Sequence, residues 1–396
     1  MRVLPTNIDS PSPSTTDSVD QERLSWLALA LTPGLGPRRI LRAMREAGSA
    51  DEILHTPLTG LEALQFPAQA VQFIADGKAI EAANKEVETL NKSGAGFLTY
   101  NDPAYPERLR EIFDAPALLW IRGDATLLAK SAIAVVGTRH PTPYGSGMAE
   151  MLSRDLAARG MIILSGMARG VDTSAHKGAL AAKGKTVAVW GTGIDVIYPK
   201  ENKSLAEQIL AGGGTIISEL PMGTFPAPQN FPKRNRILSG MSVGVLVVEA
   251  GEHSGTRVTA RCALEQNRDV YAVPGNVTTK NAWGPNTLIK QGAKLVATWE
   301  DVWEDLPSQI RVALETEWEL ASKGQPAASL FEEAPLPPAE TRVMSVLRHD
   351  EALQIDEIME KLEPELSSSE VFTALFELEL SGRVKQLPGK NYVKTF

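Results

Sequence analysis

Three arginines, Arg139, Arg234 and Arg236, lie in or beside turns rich in glycine and hydroxyl residues. One turn reads Gly137-Thr138-Arg139-His140-Pro141-Thr142-Pro143-Tyr144-Gly145, and another reads Ser165-Gly166-Met167-Ala168-Arg169-Gly170. Gly191-Thr192-Gly193 leads on to Tyr198-Pro199-Lys200-Glu201-Asn202. Further along come Phe231-Pro232-Lys233-Arg234-Asn235-Arg236 and Ser254-Gly255-Thr256. Glycine lets an anion approach the backbone closely, and helix N-termini offer oriented N–H donors. The planar guanidinium fork of arginine matches phosphate oxygens. Together these residues predict a phosphate site with contacts at Gly137, Thr138, Arg139, Ser165, Gly166, Gly170, Gly191, Gly193, Lys233, Arg234, Asn235, Arg236, Ser254, Gly255 and Thr256. Tight strand-to-helix turns alone would explain each glycine singly, but not the arginines beside them.

Sharper motifs fail. Gly191-Thr192-Gly193 begins a dinucleotide fingerprint, but Val196 stands where its third glycine belongs. The stretch from Gly178 to Gly184-Lys185-Thr186 is one residue too long for a P-loop and leads into a strand rather than a helix. No GxSxG elbow occurs. Asp172 opens a helix and is read as its cap. His176 and His253 have no acidic partner at a readable spacing, so each is read as solvated or core; Cys262 is read as packing. A single cysteine excludes an internal disulfide, and five scattered histidines without HExxH spacing offer no metal site. No cofactor is expected.

Short apolar runs near 96–100, 118–122, 132–136, 161–164, 187–190, 215–217, 243–248, 270–273 and 295–297 alternate with amphipathic stretches. Runs such as Ile133-Ala134-Val135-Val136 are continuous, as in parallel strands covered on both faces. The repeat predicts an α/β fold over 96–306: a doubly wound, Rossmann-like parallel sheet. Residues 1–20, rich in serine, threonine and proline, read as a tail, and 21–95 as a small helical domain. Within that domain Gly34-Leu35-Gly36-Pro37 turns into a second helix, either a packing hairpin or a phosphate contact. Residues 307–337 have the composition of a linker. Residues 338–396 read as three helices and a strand pair, the pattern of a winged-helix domain, with Ser367-Ser368-Ser369-Glu370 as an N-cap signal.

The formal net charge of −8 argues against a uniformly basic surface but leaves a local phosphate site open. No apolar run is long enough to span a membrane and no signal peptide opens the chain, so a cytoplasmic location is expected.

The segments VVGTRHPTPYG (135–145), LSGMARGVDTSAH (164–176), GTGIDVIYPKEN (191–202), ISELPMGTFPAPQNFPKRNRILSG (217–240) and VVEAGEHSGTRVTA (247–260) resemble the DNA-processing protein A family, also called Smf. The resemblance implies a binder of single-stranded DNA that forms a homodimer through its α/β domain, loads the RecA recombinase and acts in natural transformation. It places Arg139 and the Phe231–Arg236 segment in the DNA pocket. Phe231 either stacks on a base or packs inside, in which case one arginine is structural. The rival on this fold is a LOG-type nucleotide phosphoribohydrolase. In such an enzyme a glutamate follows the glycine-threonine turn, but Thr259 stands there in this chain. A hydroxyl cannot replace the carboxylate that stabilises an oxocarbenium ion, so a binding protein rather than an enzyme is expected.

Overall fold

The computed structural model describes residues 21–252, 254–322 and 336–395. The expected tail over 1–20, the second part of the expected linker and His253 lie outside the described residues.

The apolar runs form one sheet of nine strands: β1 (Gly96–Thr99), β2 (Leu118–Gly123), β3 (Ala132–Val136), β4 (Ile162–Ser165), β5 (Thr186–Trp190), β6 (Thr215–Ser218), β7 (Gly244–Val247), β8 (Asp269–Ala272) and β9 (Lys294–Leu295). Their order is β1-β2-β6-β5-β4-β3-β7-β8-β9. From β6 to β9 every pairing is parallel. The expectation of a wholly parallel sheet needs one correction, because β1 pairs antiparallel with β2, and β2 with β6. An antiparallel edge on a parallel sheet is common and needs no crossover helix.

Strand β3 shows why the runs are continuous. Ile133 and Val135 pack under the helices Pro143–Ala157 and Val171–Ala181, against Leu152 and Ala175. Ala132, Ala134 and Val136 face the other layer, against Ile237 and Leu238 of the helix Asn230–Met241. Alternate side chains enter opposite layers, so both must be apolar. Truncating Ile133, which is fully buried, would cost roughly 2–5 kcal/mol.

Six helices fill 21–93, and their core is continuous with that of the sheet: Trp26, Leu27 and Leu29 belong to the same cluster as Trp120, Ala188 and Ile194. Arg23 donates to the Phe97 carbonyl at 2.7 Å, and Trp120 Nε1 to Glu86 at 2.8 Å. Trp299 and Trp303 pack edge-on, 6.0 Å between ring centroids. The linker expected from 307 is displaced by a helix, Ser308–Ser322. Leu314 is buried against the α/β layer that Trp299 and Trp303 join, and Lys130 pairs with Glu317 at 2.9 Å. Ile310 and Leu314, one turn apart on one face, outweigh the average composition of the stretch.

The carboxyl-terminal unit has helices Pro338–Val346, Ile355–Leu362 and Ser368–Leu380. A short strand β10 (Leu353–Gln354), not anticipated, joins β11 (Val384–Leu387) and β12 (Asn391–Lys394) in a second sheet. Ser367 and Glu370 form the anticipated cap, as a reciprocal capping box.

Candidate nucleic-acid site

Strands β3 and β7 are neighbours, and the chain leaves them in opposite directions across the sheet. The loops after them therefore diverge, and a crevice opens at the carboxyl edge of the strands. It measures about 910 Å³ and is lined by Gly137, Thr138, Arg139, Phe231, Arg234, Asn235, Ser254, Gly255 and Thr256, all among the residues picked from sequence.

The turn after β3 is held from behind by Glu249, which is buried at the end of β7. Its backbone carbonyl accepts the Thr138 N–H at 2.7 Å, and its carboxylate accepts the Thr142 N–H and hydroxyl at 2.9 and 2.5 Å. Asn281 donates to the same carboxylate at 3.3 Å and to the His140 carbonyl at 2.9 Å. So clamped, the turn presents an exposed Arg139 at the mouth. Its guanidinium lies 5.6 Å from the centroid of the half-buried Phe231 ring, and Phe231 lies 5.7 Å from the ring of Tyr198. A cation and two aromatic rings thus share one rim.

Arg234 forms the floor. It is only 8% exposed, and Nη1 donates to the Val189 carbonyl at 2.8 Å. Burial pushes its pKa down and the charge of Asp172 pushes it back up, yet a guanidinium keeps its proton in a protein. Asp172 was expected to cap the following helix; instead Gly170 holds the cap position, and the Asp172 carboxylate accepts the Ala168 N–H at 3.1 Å in the preceding loop. Burial raises its pKa, with Arg234 opposing. Behind the floor His176 is fully buried, its Nδ1 2.7 Å from the Thr186 hydroxyl, with its pKa lowered to about 3 by burial and by the Arg234 charge. Of the two readings left open for His176, the core one applies.

Several expected contacts lie elsewhere. Gly166 and Gly191 make room for side chains rather than for phosphate: a Cβ on Gly166 would fall 1.8 Å from Arg234 Nη1, and one on Gly191 2.9 Å from the Phe231 ring. Gly170, at φ +75°, passes so close that a Cβ would meet the Thr138 carbonyl oxygen at 2.5 Å; at Gly193 the obstacle is the Pro221 carbonyl oxygen at 2.6 Å. Ser165 is fully buried and donates to the Val135 carbonyl at 2.7 Å. Lys233 and Arg236 leave the opposite face of the helix Asn230–Met241 and line a different depression. There Arg236 is bound to Asp114 at 3.0 Å and Glu219 at 2.5 Å.

The sequence reading missed Tyr198, Glu249 and Asn281 as parts of the site. Tyr198 and Glu249 stand in the strand-end loops and were legible by position. Nothing local marks Asn281, which reaches His140 only through the fold. Among the described residues no cluster of side chains fits a metal ion, and no helix is long and apolar enough to cross a membrane.

Comparison with known proteins agrees with this architecture. The family model described as "DNA recombination-mediator protein A" matches residues 96–307, and "DprA winged helix domain" matches 325–390. Protein Smf of Escherichia coli K12 is 40% identical over 291 residues, 73% of this chain and 75% of that protein. DNA processing protein DprA of Bacillus subtilis is 43% identical over 219 residues, 55% of this chain and 73% of that protein. The crystal structure of DNA processing protein A from Streptococcus pneumoniae superposes with a TM-score of 0.61 at 32% identity, covering 74% of this chain and 99% of that one. A mostly parallel sheet with its crevice at the β3–β7 switch, a matching winged helix and identities at this level place the chain in the DNA recombination-mediator protein A family.

Proposed function

We propose that the chain binds single-stranded DNA in the β3–β7 crevice and, as a homodimer, delivers that strand to the RecA recombinase. The observation that carries the binding reading is the rim of Arg139, Phe231 and Tyr198 over the buried Arg234. Unstacked bases offer π faces to such a rim, each stack contributing about 1–3 kcal/mol, while phosphates meet guanidinium and backbone N–H groups. A rigid duplex hides its bases and gains only the phosphate contacts. Binding should have little sequence preference and weaken as salt rises.

Binding without catalysis fits the crevice residues. Thr259, buried where an N-glycosidase needs its carboxylate, has only a hydroxyl. Asp172 borders the crevice, but it accepts a loop N–H and faces the charge of Arg234. Delivery to RecA is supported by the resemblance of the motif segments over 135–260 rather than by a surface. Physically, two linked pockets would hold a strand at high effective concentration while leaving the stretch between them free for a recombinase.

A gel-shift comparison of single strands and duplex of equal length, with NAD and nucleoside monophosphate as competitors, tests binding. Tighter binding to duplex, or release of free base from a nucleoside monophosphate, would overturn it. RecA-driven strand exchange on DNA coated with single-strand-binding protein tests delivery: the lag should shorten when this protein is added. An unchanged lag with intact binding leaves a strand-protecting role.

A further inference from the structure

The helix Asn230–Met241 is a ridge between two depressions. Phe231, Arg234 and Asn235 face the crevice; Lys233 and Arg236, one turn apart, face a second groove of about 1130 Å³. The far wall of that groove is the amino-terminal helix Pro37–Ala47, which contributes Arg38, Arg39, Arg42 and Arg45. Asp114 and Glu219 also line it, but both are bound to Arg236. Among the described residues, Arg38, Arg39, Arg45 and Lys233 form no ion pair, in a chain whose net charge is −8.

The amino-terminal half of this arrangement opposes helix stability, although Arg42 also pairs with Glu46 at 3.8 Å. Arg38 and Arg42 are like charges at i,i+4, which weaken a helix. Arg38 and Arg39 occupy its first turn, where the macrodipole disfavours cations and no acidic residue is present. Arg42 has a structural use, donating to the Leu64 carbonyl at 2.7 Å. Arg38, Arg39 and Arg45 are exposed, and of these only Arg45, in the last turn, is favoured by the macrodipole. Arg38 lies 3.9 Å above the ring of Phe113, which is 78% exposed. A cation stacked on an open aromatic face repeats, across the ridge, the Arg139–Phe231 pair of the crevice.

We propose that this groove is a second single-strand site, continuous with the crevice, in which a strand leaving Phe231 crosses the ridge at Pro232–Lys233 and lays its phosphates along Arg38, Arg39 and Arg45. The inference rests on the single-strand reading of the crevice. The ridge is one helix wide, ~10–12 Å with side chains, so a few nucleotides bridge it. Base-independent tracking by cations and aromatic faces suits single strands better than duplex.

The test uses the full chain and oligothymidylates of about 6 and about 20 nucleotides. The triple variant Arg38→Gln/Arg39→Gln/Arg45→Gln keeps helix propensity and leaves Arg42 in place. It should bind the short strand as the unaltered protein does but the long strand about tenfold or more weaker. Each single-strand phosphate contact contributes about 0.7 to the salt slope, so the long-strand slope should fall by roughly 2. Lys233→Gln should act in the same direction, and thermal melting shows whether either variant is misfolded. Equal loss for both lengths, or none for the long strand, overturns the groove and leaves it to an acidic protein partner. Arg139→Ala separates the two readings: if it weakens neither length, the crevice reading falls while the groove is still judged by the triple variant. If the unaltered protein binds neither length, both fall.

Discussion

The β3–β7 crevice and the third helix of the carboxyl-terminal unit, Ser368–Leu380, both belong to folds associated with nucleic acid, yet their surfaces are opposite in kind. The crevice sets an exposed arginine and an aromatic rim over a buried arginine, with hydrogen bonds holding the turn that carries Arg139 and the guanidinium of Arg234. The helix carries Glu370, Glu377 and Glu379 and no lysine or arginine, with Phe372 and Phe376 exposed by 48% and 60% one turn apart. Carboxylates repel a phosphate backbone, while an exposed apolar pair with acidic flanks suits a protein partner. The lesson is that the winged-helix fold alone does not assign DNA contact; the side chains on the reading face do.

The largest effect that would break this contrast is expected at Arg139. A charge-assisted bond to phosphate contributes about 1.5–3 kcal/mol, so Arg139→Ala should weaken single-strand binding roughly ten- to a hundredfold with no loss of thermal stability. Unchanged affinity in a folded variant would make the rim structural and erase the difference between the two regions.

Burial behind the crevice should next appear as acid sensitivity. His176 has its pKa depressed from 6.5 to about 3 in the folded state, so the unfolded chain binds its proton first. Its contribution is complete above pH ~6.5 and is lost as pH falls toward 3, at about 1.4 kcal/mol per unit. Denaturant melts between pH 7 and pH 4.5 should show this slope, and His176→Asn should flatten it by about one proton. An unaltered slope would mean that His176 is not desolvated.

A smaller effect is expected at Gly166. An added Cβ would collide with the guanidinium of Arg234, and the displaced group would lose its bond to Val189. Gly166→Ala should lower stability by on the order of 1 kcal/mol and reduce strand affinity several-fold. Wild-type affinity would show that the position of Arg234 does not matter to the site.

The smallest effect sharpens the other side of the comparison. Removing 338–396 should change single-strand affinity by less than about twofold, since the crevice residues lie outside that segment and its third helix is acidic. Loss of most affinity would reassign DNA contact to the carboxyl-terminal unit.

Local pattern determined much of this protein. Continuous apolar runs require burial on both faces, which locates the strands of a covered sheet, and the turns after those runs carry the residues of the crevice. The antiparallel pairing of β1 and β2 was not legible, since both are buried runs like the parallel ones. The capping box at Ser367–Glu370 was equally legible, because its chemistry lies within four consecutive residues. What depends on contacts remote in sequence was not legible. Arg234 and Arg236 are two positions apart in one basic run, but the 3.6-residue turn sends one to the crevice floor and the other to Asp114 and Glu219. Helical period alone separates them; only packing on the sheet decides which faces inward. Glycines that read as phosphate contacts proved to clear space for Arg234 and Phe231, since the sequence cannot show whose atoms fill the place of a missing Cβ. The helix Ser308–Ser322 was hidden in a stretch of linker composition because its evidence, Leu314 buried against the α/β layer, exists only once the chain has folded back. Periodicity is a property of neighbours along the chain, whereas the facing of a side chain is settled by whichever distant surface it is packed against.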